Sequence, residues 1–315
     1  MAGQLGFADG WVSAKLGRNA NLERLSVEVR WYRFEKLLAP LRSDGPGRPP
    51  FAPLLMLKAL LLQQFYALSD AELEEAINDR VSFRKFLGLS LEAASPDHTT
   101  LCRFRNRLVE LGLSEALFCE FERQLEKRGL ILKRGTMIDA SLVDSPYRPG
   151  SPDGGREPVD EDARHAAREG RPGGRYGYKV HIGADHGSRL IRRVELTAAN
   201  VNDTVPADDL VCGDEKAVYA DKAYAKRERS RLLSNRGIKP RIMHKTWGGG
   251  PPLTKWQQRH NKLITPIRSQ VEGVFATLKR WMGMAKVRYR GLRKNKSHWY
   301  LVALAYNMNR TLKLH

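Results

Sequence analysis

Three carboxylates stand in contexts that suit metal-assisted chemistry. Asp139 closes the apolar run "TMID" and Asp221 closes "VYAD". An acid that follows a run of strand-forming residues emerges at the end of a sheet, where open α/β sheets place their sites. The third, Glu272, lies in "IRSQVEGVFATLKRW" (267–281), about a hundred degrees round a helix from Val271 and so beside its apolar face. Brought together, the three repel one another, and cations must neutralise them. Oxygen-only ligands suit Mg2+, with Mn2+ as a substitute. Two ions ~3.5–4 Å apart would serve an in-line phosphoryl displacement. Each residue also has a plainer reading. Asp139 and Asp221 suit strand-end turns, and Glu272 suits an i, i+4 ion pair with Arg268.

Charge favours the first reading. Glu272 is the only carboxylate in the 87 residues from Arg229 to His315, against 20 Lys or Arg. Lys222–His315 carries 23 basic and 2 acidic residues, a net of +21, while the whole chain carries +19. Residues 1–221 therefore carry −2, and the basic excess is confined to one third of the protein. A pI near 10.0 so concentrated points to a polyanion, nucleic acid first; a merely basic enzyme is the alternative. Cys102, Cys119 and Cys212 form no CxxC pair, which fits a reducing cytoplasm rather than a disulfide framework or zinc site. No apolar run approaches the ~18–20 residues that span a bilayer. The longest, "PLLMLKALLLQQF", is interrupted by Lys58 and reads as a buried helix.

The elements that must position these residues divide near residue 130. Before it the chain reads as helical. In "LSDAELEEAINDRVSFRKFLGL", Ser69 caps a helix and Glu72 completes a capping box, and the apolar period runs to Gly88. "DHTTLCRFRNRLVELG" starts another helix, with Leu101, Phe104 and Leu108 on one face and Arg103, Arg105 and Arg107 mostly on the others. That arrangement suits either a helix-turn-helix DNA reader or a solvated amphipathic helix. Residues 148–177, rich in Gly, Pro and mixed charge, read as a long flexible loop rather than packed structure.

Beyond residue 130 the pattern turns to strands. "GTMIDASLVD" is a β-type run, and "YGYKVHIGADHGSRLIRRVELTAA" alternates in two arms about a turn. "NDTVPADDLVCG" reads as one short helix, "KAVYAD" as a buried strand and "KAYAKRERSRLLSNRG" as a helix closed by Gly237. "IKPRIM" is a fifth strand, and the helix of Glu272 follows, with Val271, Val274, Phe275, Leu278 and Met282 at helical spacing. The order β-β-β-α-β-α-β-α predicts a mixed sheet flanked by helices. Lys179 and His181 on the hairpin either face DNA or simply alternate outward. Trp299, ahead of "YLVALAYNMN", reads as core.

In sequence the basic helix resembles a known signature. Arg268, Glu272 and Lys279 reproduce the R-x3-E-x6-K spacing of bacterial insertion-sequence transposases of the DDE type. "IDASLVDSP", "GYKVHIGAD", "VELTAANVND" and "VYADKAY" look like blocks of the Insertion Sequence 5 family. The N-terminal stretch from "WYRFEKLLAPL" to "PDHTTLCRFRNRL" is similar to that family's helical domain, so the likeness covers about residues 30–310. The wider signature has a tyrosine three residues before the arginine; Thr265 stands there.

The resemblance implies a helical DNA-binding and dimerisation domain over 1–130. It implies an RNase H-like catalytic domain over 131–315, with Asp139, Asp221 and Glu272 holding two Mg2+ ions. It implies that Arg268 and Lys279 contact phosphates near the cleaved DNA end. Arg280, Lys286, Arg288 and Arg290 extend that basic track, and Arg103 and Arg105 would add contacts from the helical domain. The implied activity is to bind an element's terminal inverted repeats in double-stranded DNA, cut to 3′-OH ends and join them to target DNA as a homodimer or larger assembly. A nuclease of the same fold, or a DNA-binding repressor without catalysis, are the rival readings.

Overall fold

The computed structural model describes residues 17–42, 50–151, 155–166, 174–246 and 250–314. They fall into two compact units, Met1–Lys127 with Tyr300–His315, and Arg128–Trp299. Among the described residues no helix is long and apolar enough to cross a membrane.

The first unit is helical, with α1 (Ala20–Glu28), α2 (Trp31–Leu37), α3 (Pro53–Phe65), α4 (Asp70–Asp79), α5 (Val81–Leu87), α6 (His98–Glu110) and α7 (Leu113–Lys127). The apolar α3 is its centre, with Leu57, Leu60, Leu61 and Leu62 fully buried. Lys58 is accommodated by donating to the Phe86 carbonyl at 3.1 Å and lying 4.7 Å from the Trp31 ring centre. Its burial holds the ammonium below its ordinary pKa. The capping box at α4 forms as its sequence requires, Glu72 N–H donating to Ser69 Oγ and Ser69 N–H to Glu72 Oε2. The apolar period expected to run on to Gly88 breaks at Arg80, whose backbone is extended. Val81 and Phe83, two apart, cannot share the helical face of Leu73 and Ile77, so α5 begins afresh.

The second unit is built on a sheet that has six strands among the described residues. These are β1 (Thr136–Asp144), β2 (Arg164–His165), β3 (Tyr176–Asp185), β4 (Ile191–Ala198), β5 (Ala217–Ala220) and β6 (Lys239–Ile242). β1 is central. It pairs antiparallel with β3, which pairs antiparallel with β4, and on its other side it pairs parallel with β5, which pairs parallel with β6. Helix α8 (Arg227–Asn235) supplies the β5–β6 crossover, as parallel neighbours require. Leu233 of α8 joins Ile138, Val218, Ala220, Tyr224 and Ile242 in one apolar cluster. α9 (Lys255–Arg268) and α10 (Gln270–Trp281) pack against β1. α11 (Leu292–Thr311) begins in this unit and ends in the first. Trp299, within it, is 1% exposed, as its neighbours in sequence predict. The architecture is a mixed α/β, RNase H-like sheet with helices, preceded by a helical region.

Three further local expectations differ from the structure. "NDTVPADDLVCG" is a string of turns rather than a helix. Asn202 accepts from Thr204 N–H at 3.0 Å, an Asx turn that competes with helix, and Glu215 caps the amides of Cys212 and Gly213. The helix of Glu272 is interrupted at Ser269, so Arg268 ends α9 and Glu272 opens α10; Pro266 lies inside α9, where its ring and missing N–H disturb the ladder. Residues 152–154 and 167–173 of the expected loop lie outside the described residues, and 155–166 is mostly exposed but anchored at Asp160 and Ala163, which are buried. There β2 pairs with β3, and Asp160, fully buried, accepts the Tyr178 hydroxyl at 2.7 Å and the Gly291 N–H at 3.2 Å. Proline, glycine and charge hid a carboxylate that ties this segment to the start of α11.

Candidate active site

The sheet register brings two of the three carboxylates side by side. Thr136 pairs with Val218 and Met137 with Tyr219. Continued two residues, that parallel register sets Asp139 opposite Asp221 on strands about 4.8 Å apart. Side chains alternate along β1, so Ile138 enters the cluster with α8 while Asp139 turns to the face where α9 and α10 lie. Asp221 follows β5 directly and caps a 3-10 turn at Lys222–Tyr224.

Arg268 joins the third carboxylate to them. Its Nη1 lies 3.5 Å from Asp139 Oδ2, and its Nη2 donates to Glu272 Oε1. The guanidinium is largely buried, whereas the Glu272 side chain is 56% exposed. Burial pushes the Asp139 carboxyl up to about 6, and the negative charges of Glu272 and Asp221 add to that; an amide hydrogen bond and Arg268 oppose it. Burial, with Asp139, Asp203 and Asp221 nearby, also raises the phenol of Tyr224, a buried side chain that spacing alone did not single out.

The remaining basic residues divide by what they touch. Lys279, half-buried, donates to the Leu142 carbonyl at 2.9 Å, and burial lowers its pKa. Arg175 grips Asp144 with two bonds of 2.6 and 2.7 Å; the composition of its segment gave no sign of it. Arg280 and Lys286 are exposed, Arg288 is half-buried, and Arg290, exposed, pairs with Glu161 at 3.2 Å. In the helical unit Arg103 is exposed on the wall of a hollow with Asp97, Thr100 and Phe104. Arg105 is not available to DNA. It is 6% exposed and bound to Asp70 and Gln63, because its position on α6 turns it toward α3 and α4.

Lys179 and His181 likewise point inward. Lys179 pairs with Asp203 at 2.6 Å. His181 is fully buried with Nε2 2.9 Å from Thr197 Oγ1, and burial pushes its pKa from 6.5 to about 4. A folded pKa below the unfolded one gives stability that is complete above pH 6.5 and lost as pH falls toward 4. The expected loss across that window is on the order of 3 kcal/mol. Asp139 acts in the opposite sense over the same window, so the check is the difference in denaturant midpoint between wild type and His181→Gln against pH, which should shift in favour of the variant as pH falls.

The chemistry of the acidic site fits a divalent cation. Its donors are carboxylate oxygens, one of them desolvated, and a cationic guanidinium already lies between two of them. Among the described residues, no three His, Cys, Asp or Glu side chains are close enough to share one ion as placed. Arg268 fills part of the space between Asp139 and Glu272, so Glu272 must turn toward Asp139 to complete a ligand set.

The second unit thus carries one acid within β1, a second just past its parallel neighbour β5 and a third in the first turn of α10. The family model described as "Transposase DDE domain" matches residues 132–308, and the one described as "Transposase domain (DUF772)" matches residues 12–107. The chain belongs to the DDE transposase family. A solved structure, "Crystal structure of a pre-cleavage Mos1 transpososome", is similar at 14% identity and a TM-score of 0.21, covering 90% of this chain and 83% of that one.

Proposed function

We propose that this DDE transposase is of the Insertion Sequence 5 kind, binds the terminal inverted repeats of its element, cuts to 3′-OH ends and joins those ends to target DNA. The observation that carries the reading is the meeting of Asp139 and Glu272 on one guanidinium, with Asp221, just past β5, near enough to raise the Asp139 carboxyl. Asp139, within β1, and Asp221, just past β5, would be the ligands fixed by the sheet, and Glu272, in the first turn of α10, would complete the set. Two bound Mg2+ ions would supply the Lewis acidity for attack and departure in an in-line displacement. Arg268 would exchange its carboxylate partners for a DNA phosphate, a bidentate contact its fork suits. Lys279, held against the β1 backbone, would present its charge one side of the scissile phosphate. Residues 1–130 would provide DNA binding and dimerisation, and joining two ends calls for at least two copies.

The test is to incubate the protein, Mg2+ or Mn2+, and DNA flanking its gene with a supercoiled plasmid, then map the products. Flank ends covalently joined to plasmid support the reading. Cleavage without joining indicates a nuclease, and binding with neither indicates a repressor. Binding itself should weaken linearly in log salt, with a slope of about −0.9 per phosphate neutralised. Arg280→Ala and Lys286→Ala should each make that slope shallower by about 1. Titrations at several salt concentrations check both.

A further inference from the structure

One exposed surface of the second unit is built for a partner that the acidic site does not explain. Only Ile264 of α9 is buried. Trp256, Arg259, His260 and Leu263 fall on one stripe of this helix at i, i+3, i+4 and i+7. Trp256 is 66% exposed and Leu263 65% exposed. The rings on this stripe are organised. Trp256 stacks on His260 with centroids 5.4 Å apart and planes 23° apart, and His244, from the segment after β6, lies 4.7 Å from His260 and 5.4 Å from Trp256.

Asn261 fixes the arrangement. It accepts from His244 N–H at 2.8 Å and donates to the His244 carbonyl at 3.0 Å, binding that segment to the helix. His244 Nε2 and His260 Nδ1 are shielded from solvent and make no hydrogen bond among the described residues. Ring contacts and the hydrogen bonds of Asn261 together hold the cluster. Lys255, Arg259 and Lys262 are exposed around it, and the nearest carboxylate along the chain is Glu272.

We propose that this Trp256–His260–His244 platform binds an unpaired nucleotide of single-stranded DNA, with Arg259 and Lys262 on its phosphates. A flat aromatic face ringed by cations matches a partner that is both aromatic and anionic. The interior bases of a duplex stack on both sides and offer no free face, so the occupant is an unstacked base. The inference deepens the transposase reading and rests on it for the source of the strand.

The experiment measures anisotropy of two labelled probes with the full chain, an oligo(dT) strand of about 16 nucleotides and a blunt duplex of equal length. Trp256→Ala is expected to weaken oligo(dT) binding about tenfold while duplex binding stays within about twofold, and Trp256→Phe, which keeps a stacking face, to restore most of the loss. An equal loss on both probes, or no loss on either, overturns the proposal. Neither probe is cut, so the outcome is independent of strand transfer. Failure of the transposase reading would show instead as absent joining with this discrimination intact.

Discussion

Glu272→Gln is expected to lower DNA cleavage by at least about a thousandfold, equivalent to ~4 kcal/mol of transition-state stabilisation, while DNA affinity changes by less than about threefold. The side chain is 56% exposed and pairs with Arg268, which keeps Asp139, so the fold has little to lose. The change keeps shape and removes charge. Asp221→Asn should behave likewise. Asp139→Asn should lose cleavage and gain stability. Its carboxyl titrates near 6 in the folded chain, above the ordinary 3.8, so stability falls as pH rises through that window and the ionised form carries the whole cost above it. Removing the charge should return about 2 kcal/mol at neutral pH. Gel assays of cleavage, binding titrations and melting curves on the same three variants separate these effects. A site that stores unfavourable charge for function trades stability for activity.

The second large effect lies in the helical unit. Arg105→Ala is expected to destabilise it by ~3–4 kcal/mol, because it strands a charge whose partner was buried. Arg105 donates to Asp70 Oδ2 at 3.0 Å and approaches Gln63 Oε1 at 3.4 Å, and Gln63 in turn donates to Asp70 at 2.5 Å. Cutting one member leaves the others poorly paired. Arg103→Ala, exposed and two residues away, should change stability by less than about 0.5 kcal/mol. Calorimetry of the first unit's transition distinguishes them, with a Tm lower by roughly 10 °C for Arg105→Ala. Any loss of DNA binding in that variant then follows from unfolding.

Much of this architecture is readable from local pattern. "VYAD" places Asp221 just past the end of β5, as its change of polarity predicts, whereas Asp139 does not close its strand, because β1 runs on to Asp144 through its pairing with β3. Ser69 and Glu72 announce α4 because a capping box is complete within four residues. What was not readable depends on contacts distant in sequence. Nothing near Arg105 reveals that Asp70, 35 residues earlier, awaits it. Lys179 and His181 follow the alternation of an outward face, yet β3 lies inside the sheet between β1 and β4, and Asp203 and Thr197 receive them. The break at Ser269 lies where the hydrophobic period looks continuous. Asp160 was hidden by the loop-like composition around it, although it fastens Tyr178 and Gly291 across more than a hundred residues.

The central claim is that Asp139, Asp221 and Glu272 form one site for divalent ions, and counting bound Mn2+ by electron paramagnetic resonance tests it most directly. With end DNA present, two ions per wild-type chain are expected, falling to one or none in Asp139→Asn and in Glu272→Gln at unchanged DNA occupancy. The same number of ions at the same affinity in wild type and both variants would contradict it.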